Sequence, residues 1–145
     1  MGIDGAVRAL GVPASWHFYI ISLAAMLGPG DEVIVARDLH TSLLTALIHT
    51  GARPIYVAPR LHPSFDISLG VSADDVAAVL AAYPAARLVV LTSPSYWGVA
   101  SDVAGIATVA HARGVPLYVD EAWGRISPST RSCRVPPWQA VPTWP

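Results

Sequence analysis

Between Gly28 and Gly124, short apolar runs alternate with stretches of about ten residues that carry helical caps and spacing, and this alternation restricts the fold more than any other feature. Gly28-Pro29-Gly30-Asp31 is a turn, and Val33-Ile34-Val35-Ala36 is an apolar strand bounded by charges. Asp38 can cap a helix from about His40 to His49, which places Leu43, Leu44, Leu47 and Ile48 on one face and is ended by Gly51. Pro54-Ile55-Tyr56-Val57 is the next strand. After a proline-bearing loop, Ser72 caps a helix over 73–83, with Asp74 and Asp75 in the first turn, where the helix dipole favours them. Arg87 to Thr92 is a third strand, apolar without alternation. Ser101-Asp102 cap a helix from Val103 that Gly114 stops, and Pro116 to Asp120 is the fourth strand. Crossovers of this length require parallel neighbours. The expectation is an α/β fold: a partial parallel sheet with strands near 33–36, 54–58, 88–92 and 116–120, flanked by helices near 40–50, 72–83 and 101–113.

Composition agrees and narrows the function. At 145 residues the chain suits one domain, and its 53% apolar content with only 13% charged residues implies strands buried on both faces or a surface made for a partner. A net charge of −1 with no basic stripe argues against nucleic acid. Cys133 is the single cysteine, so no disulfide closes within the chain, no cysteine-built metal site is expected, and a reducing cytoplasm fits. The longest apolar run, Phe18 to Leu27, is shorter than the roughly 20 residues a bilayer takes, so no membrane association is expected. All nine cationic side chains are arginine; the sequence has no lysine and no asparagine.

The ends differ from the middle. Residues 1–22 are atypical, and no clear period runs from Met1 to Trp16. Residues 125–145 hold five prolines, three arginines and no acid, the content that off-frame reading of GC-rich DNA gives. An irregular tail is expected there, produced by a frameshift or truncation, after a partial domain over 23–124.

In parallel α/β sheets, ligands sit at the carboxyl ends of the strands, so the residues just after each strand are the candidates. Leu117-Tyr118-Val119-Asp120-Glu121 has the look of a magnesium-holding Walker strand, but its partner phosphate loop needs a lysine. No G-x-G-x-x-G follows a strand either. The motifs Gly30-Asp31-Glu32-Val33, Asp38-Leu39-His40-Thr41-Ser42, Thr92-Ser93-Pro94-Ser95-Tyr96-Trp97-Gly98 and Val119-Asp120-Glu121-Ala122-Trp123-Gly124 occur in one order and at suitable spacing. Together they resemble the major domain of the ornithine/lysine/arginine decarboxylases, fold type I enzymes that use pyridoxal 5′-phosphate (PLP).

The resemblance implies that Asp120 pairs with the pyridine nitrogen of PLP, that His40 stacks on the ring, that Ala122 lies under the ring with Trp123 beside it, and that Ser95, with Tyr96 and Trp97, lines the site. It implies a basic amino acid as the parent's substrate and a homo-oligomeric parent. Two departures limit what this chain does. The family's Ser-Thr-x-Gly phosphate loop is replaced by Ala14-Ser15-Trp16-His17-Phe18-Tyr19, and the Schiff-base lysine is absent, so no catalytic residue is assigned. Arginine cannot substitute, because its guanidinium stays protonated. The chain is therefore expected to be an inactive fragment of such a decarboxylase. Its alternatives are a non-catalytic remnant paired with a full-length partner, or a piece of another fold type I enzyme, an aldolase or desulfurase.

Overall fold

The computed structural model describes residues 14–121, with side chains from Tyr19 onward. Helix α1 (Ala14–Met26) comes first. It runs through the boundary drawn between residues 22 and 23. Its sequence carries no amphipathic signal because apolar residues occupy nearly every position from Phe18 to Met26. The turn after it closes when the Gly28 amide donates to Asp31 Oδ2 at 2.8 Å.

Strand β1 (Glu32–Ala36) then leads to α2 (Thr41–Thr50), β2 (Arg53–Val57), α3 (Ala73–Ala82), β3 (Leu88–Thr92), α4 (Val103–His111) and β4 (Leu117–Asp120). The four strands form one sheet in the order β2-β1-β3-β4, and every pairing between them is parallel. This is the α/β architecture expected from the sequence, with strand ends shifted by a residue or so.

Local chemistry accounts for the helix ends. Ser72 and Asp75 form a capping box at the start of α3: the Asp75 amide donates to Ser72 Oγ at 3.2 Å and the Ser72 amide to Asp75 Oδ2 at 3.1 Å. Asp102 caps α4, accepting from the Gly105 amide at 3.0 Å. Gly51 ends α2 with φ 68°, a left-handed conformation that a side chain would disfavour. The cap of α2 corrects the sequence-based expectation. His40, not Asp38, caps the helix, accepting from the Ser42 amide through Nδ1 at 3.3 Å. Asp38 is engaged elsewhere: its carboxylate accepts from Ser68 Oγ, which ties the loop after β2 to the end of β1.

The helices cover both faces of the sheet. Val33, Val35, Leu88 and Val90 pack against Ile20, Leu23 and Leu27 of the α1 segment and Leu43, Ala46 and Leu47 of α2. Ile34, Ala36, Val57, Val89 and Leu91 pack against Val76 and Leu80 of α3 and Ile106 and Ala110 of α4. Central strands covered on both sides must be apolar at every position, which is why β3 shows no alternation. The chain moves outward from β1 to β2, then back across to β3 and β4. A constant crossover hand requires that reversal to change faces, and it does: α2 lies on one face, α3 and α4 on the other.

Candidate functional site

The reversal creates a switch point between the adjacent strands β1 and β3, whose outgoing loops diverge to opposite faces. A crevice at the carboxyl ends of the strands there is where open α/β sheets take ligands. The loop after β1 carries His40 and the loop after β3 carries Ser93 to Gly98; β4, the next strand over, ends on Asp120. Because all four strands are parallel, the topology brings His40, Ser95 and Asp120 to this one edge from three different strands. Ala122 and Trp123 lie outside the described residues, as does the segment 125–145.

Each of the three has a distinct setting. His40 is exposed and held as a helix cap, its Nδ1 2.7 Å from Ser42 Oγ. Ser95 is buried and closes its own loop: its amide donates to the Val99 carbonyl at 2.8 Å, and its carbonyl accepts from the Gly98 amide at 2.9 Å. That turn pushes Tyr96 and Trp97 out to the loop tip, where both are exposed and pack edge-on, ring centroids 5.4 Å apart. Asp120 is 4% exposed. A carboxylate so deep is costly unless hydrogen-bonded, and the Tyr19 hydroxyl of α1 donates to its Oδ1 at 2.8 Å.

Buried polarity is concentrated here. Of the buried polar residues described, Ser42, Ser68, Thr92, Ser93, Ser95 and Asp120 all lie at the carboxyl edge, and Thr50 at the other. Ser93 Oγ accepts from the Ser101 amide at 3.1 Å. Thr92 pairs in register with Asp120, so both side chains leave the same face of the sheet, the one covered by α1 and α2. Its Oγ1 is buried with no hydrogen-bond partner. A buried hydroxyl left unpaired beside a buried carboxylate marks where a polar ligand would be received.

Sequence reasoning missed Tyr19 and Thr92. Tyr19 sits in the segment 1–22 read as atypical, and its bond to Asp120 spans 101 positions, so nothing local announces it. Thr92 reads as the last residue of an apolar strand. Among the described residues no group of three or more His, Cys, Asp or Glu could hold a metal ion, and no helix is long and apolar enough to cross a membrane.

Three comparisons bear on this arrangement. Residues 14–128 match the family model described as Orn/Lys/Arg decarboxylase, major domain. An arginine decarboxylase of Bacillus subtilis is 38% identical over 100 residues, covering 69% of this chain and 20% of that protein. One from Halalkalibacterium halodurans is 35% identical over 102 residues, covering 70% and 21%. The chain thus spans about a fifth of the length of these relatives. Among solved structures, an aspartate aminotransferase from Rhodobacter sphaeroides superposes with a TM-score of 0.63 at 17% identity, over 76% of this chain and 28% of that one. That likeness establishes the fold, a portion of the fold type I sheet.

Proposed function

Because the chain belongs to the Orn/Lys/Arg decarboxylase family, as part of its major domain, we propose that its carboxyl edge is the ring-binding portion of a PLP site. The parent reaction is then decarboxylation of a basic amino acid, ornithine, lysine or arginine. The observation that carries this reading is the buried Asp120 carboxylate at the end of β4, held by a hydroxyl and beside an unpartnered buried threonine. When bound, PLP supplies an electron sink for the carbanion left as CO₂ departs.

The residues present fit the ring. Asp120 would offer its buried carboxylate to the ring nitrogen, an interaction that low dielectric surroundings would strengthen. His40, after β1, would stack its imidazole on the ring, with its cap bonds to Ser42 lying in the plane of the imidazole. Ser95 shapes the loop after β3 that walls the site, and Thr92 Oγ1 supplies a donor between that loop and Asp120.

The residues do not fit the cofactor's aldehyde. The 145 residues contain no lysine, so the amine that joins the aldehyde must come from outside them. We therefore infer that this polypeptide is a fragment, inert by itself. A second reading is a non-catalytic remnant that pairs with a full-length partner; among the described residues β4 is an outer strand, with three of its four residues only partly buried, which such a partner could cover.

Borohydride reduction of the chain mixed with PLP, followed by peptide mapping, tests the proposal. The expected result is a pyridoxyl label on the Met1 α-amino group or none. Release of CO₂ from arginine, lysine or ornithine should not exceed that of free PLP. Substantial turnover that Asp120→Ala abolishes would overturn the inert reading while keeping the site.

A further inference from the structure

Helix α1 reaches the carboxyl edge through Tyr19. Its hydroxyl donates to Asp120 Oδ1 at 2.8 Å, and its ring meets Tyr118 edge-on, centroids 6.4 Å apart. Tyr118 stands two residues before Asp120 on the same face of β4. Burial holds both phenols above the ordinary tyrosine range; the bond to Asp120 raises Tyr19 further, and a bond from Ser22 partly offsets the shift of Tyr118. Tyr19 is consequently a protonated donor throughout the range in which the protein is handled.

A carboxylate on a short side chain can turn about its terminal torsion, which is broad rather than three-welled. A donor fixed to one oxygen removes that freedom. Here the donor is anchored by its own packing: the Tyr19 ring meets Tyr118 edge-on, and the helix is held to the sheet by the buried Ile20 and Leu23, with Leu27 just beyond its end. The hydroxyl approaches from the helix side, over the face that Thr92 and Asp120 share.

We propose that Tyr19 is a positioning residue for the cofactor ring: by holding Oδ1, it presents the Asp120 carboxylate as a fixed anion to the ring nitrogen. This rests on reading the carboxyl edge as a PLP site. A merely structural role, tying α1 to β4, would make the same hydrogen bond but would leave recognition of the ring nitrogen unchanged.

The experiment measures binding of PLP and of its deaza analogue, in which a CH group replaces the ring nitrogen, by quenching of tryptophan fluorescence in the full-length chain. Wild type is expected to prefer PLP, and Asp120→Asn to lose the preference. Tyr19→Phe, which keeps the ring against Tyr118, should reduce it about fivefold, as loss of one hydrogen bond implies. Tyr118→Phe should leave it intact. Because the readout is a ratio, general loosening of the fold cancels. Equal binding of both compounds by wild type, or a preference that survives Asp120→Asn, overturns the cofactor reading and the Tyr19 role with it. A preference abolished by Asp120→Asn but untouched by Tyr19→Phe overturns the Tyr19 role alone. Should Tyr19→Phe fail to fold, 3-fluorotyrosine at position 19, which keeps the ring and strengthens the donor to Asp120, decides: the preference for PLP over the analogue should shift, and an unchanged preference overturns the Tyr19 role.

Discussion

The two edges of this sheet treat polar groups in opposite ways. At the amino edge, charges stay in water and pair there: Arg87 lies 3.2 Å from Asp31 and Arg53 3.0 Å from Glu32, with both arginine side chains more than 60% exposed. At the carboxyl edge, hydroxyls and a carboxylate are taken out of water, and one hydroxyl has no hydrogen-bond partner among the described residues. Desolvating polar groups is costly, and a fold has no need to do so to end its strands, as the amino edge demonstrates. The carboxyl edge therefore holds more buried polarity than ending the strands requires, as the proposed ligand site would.

The largest expected effect comes from the partnered hydroxyl at that edge. Ser93 Oγ accepts the Ser101 amide, and Ser93 is 4% exposed. Ser93→Ala leaves that amide without its acceptor and should destabilise the chain by about 1–3 kcal/mol, measured by urea unfolding. A change within error would mean that the edge is wet and the contrast with the amino edge false.

Its neighbour should behave oppositely. Thr92→Val replaces the unpartnered Oγ1 with a methyl of similar shape, on a residue 7% exposed. Removing a buried, unpaired hydroxyl should leave the chain unchanged or raise its stability by up to about 1 kcal/mol. Loss of stability would show that the hydroxyl has a partner and that the edge carries no unmet polarity.

The difference between the edges also explains what could be read in the sequence. The strands, α2, α3 and α4 were legible because their signals are local: apolar runs between turns, the Ser72–Asp75 box, Asp102, and a glycine at position 51 where φ is positive. The identity of the α2 cap was not, since Asp38 and His40 are both capping-competent and only the distant Ser68 decides between them. Helix α1 was hidden for a different reason, apolar residues on nearly every side. Of the candidate residues, His40, Ser95 and Asp120 are placed by the topology at one edge, as their positions just after three parallel strands implied. What makes that edge unusual was not legible, because the Tyr19 contact and the isolation of Thr92 arise only once residues far apart in sequence are packed together.

The smallest expected effect belongs to the amino edge. Asp31 is held below the usual carboxylate range chiefly by the Gly28 amide, which desolvation opposes, and Arg87 adds smaller depressing effects. A carboxyl depressed in the folded state contributes stability that is present above its unfolded value, 3.8, and is lost as pH falls through the folded one. Asp75 is depressed in the same sense, by the Ser72 hydroxyl and amide. Unfolding midpoints should therefore be flat from neutrality to about pH 5 with respect to these two groups and decline below about pH 4. Asp31→Asn should make the acid decline shallower without abolishing it, since Asp75 keeps its own share. Arg87→Ala should do less than Asp31→Asn, because the Gly28 amide outweighs the guanidinium, and its effect should shrink further in high salt, as expected for an exposed pair. A steeper acid decline in Asp31→Asn, or an Arg87→Ala effect that matches it and resists salt, would mean that the amino edge stores buried electrostatic energy as the carboxyl edge does, and the contrast between the two edges would disappear.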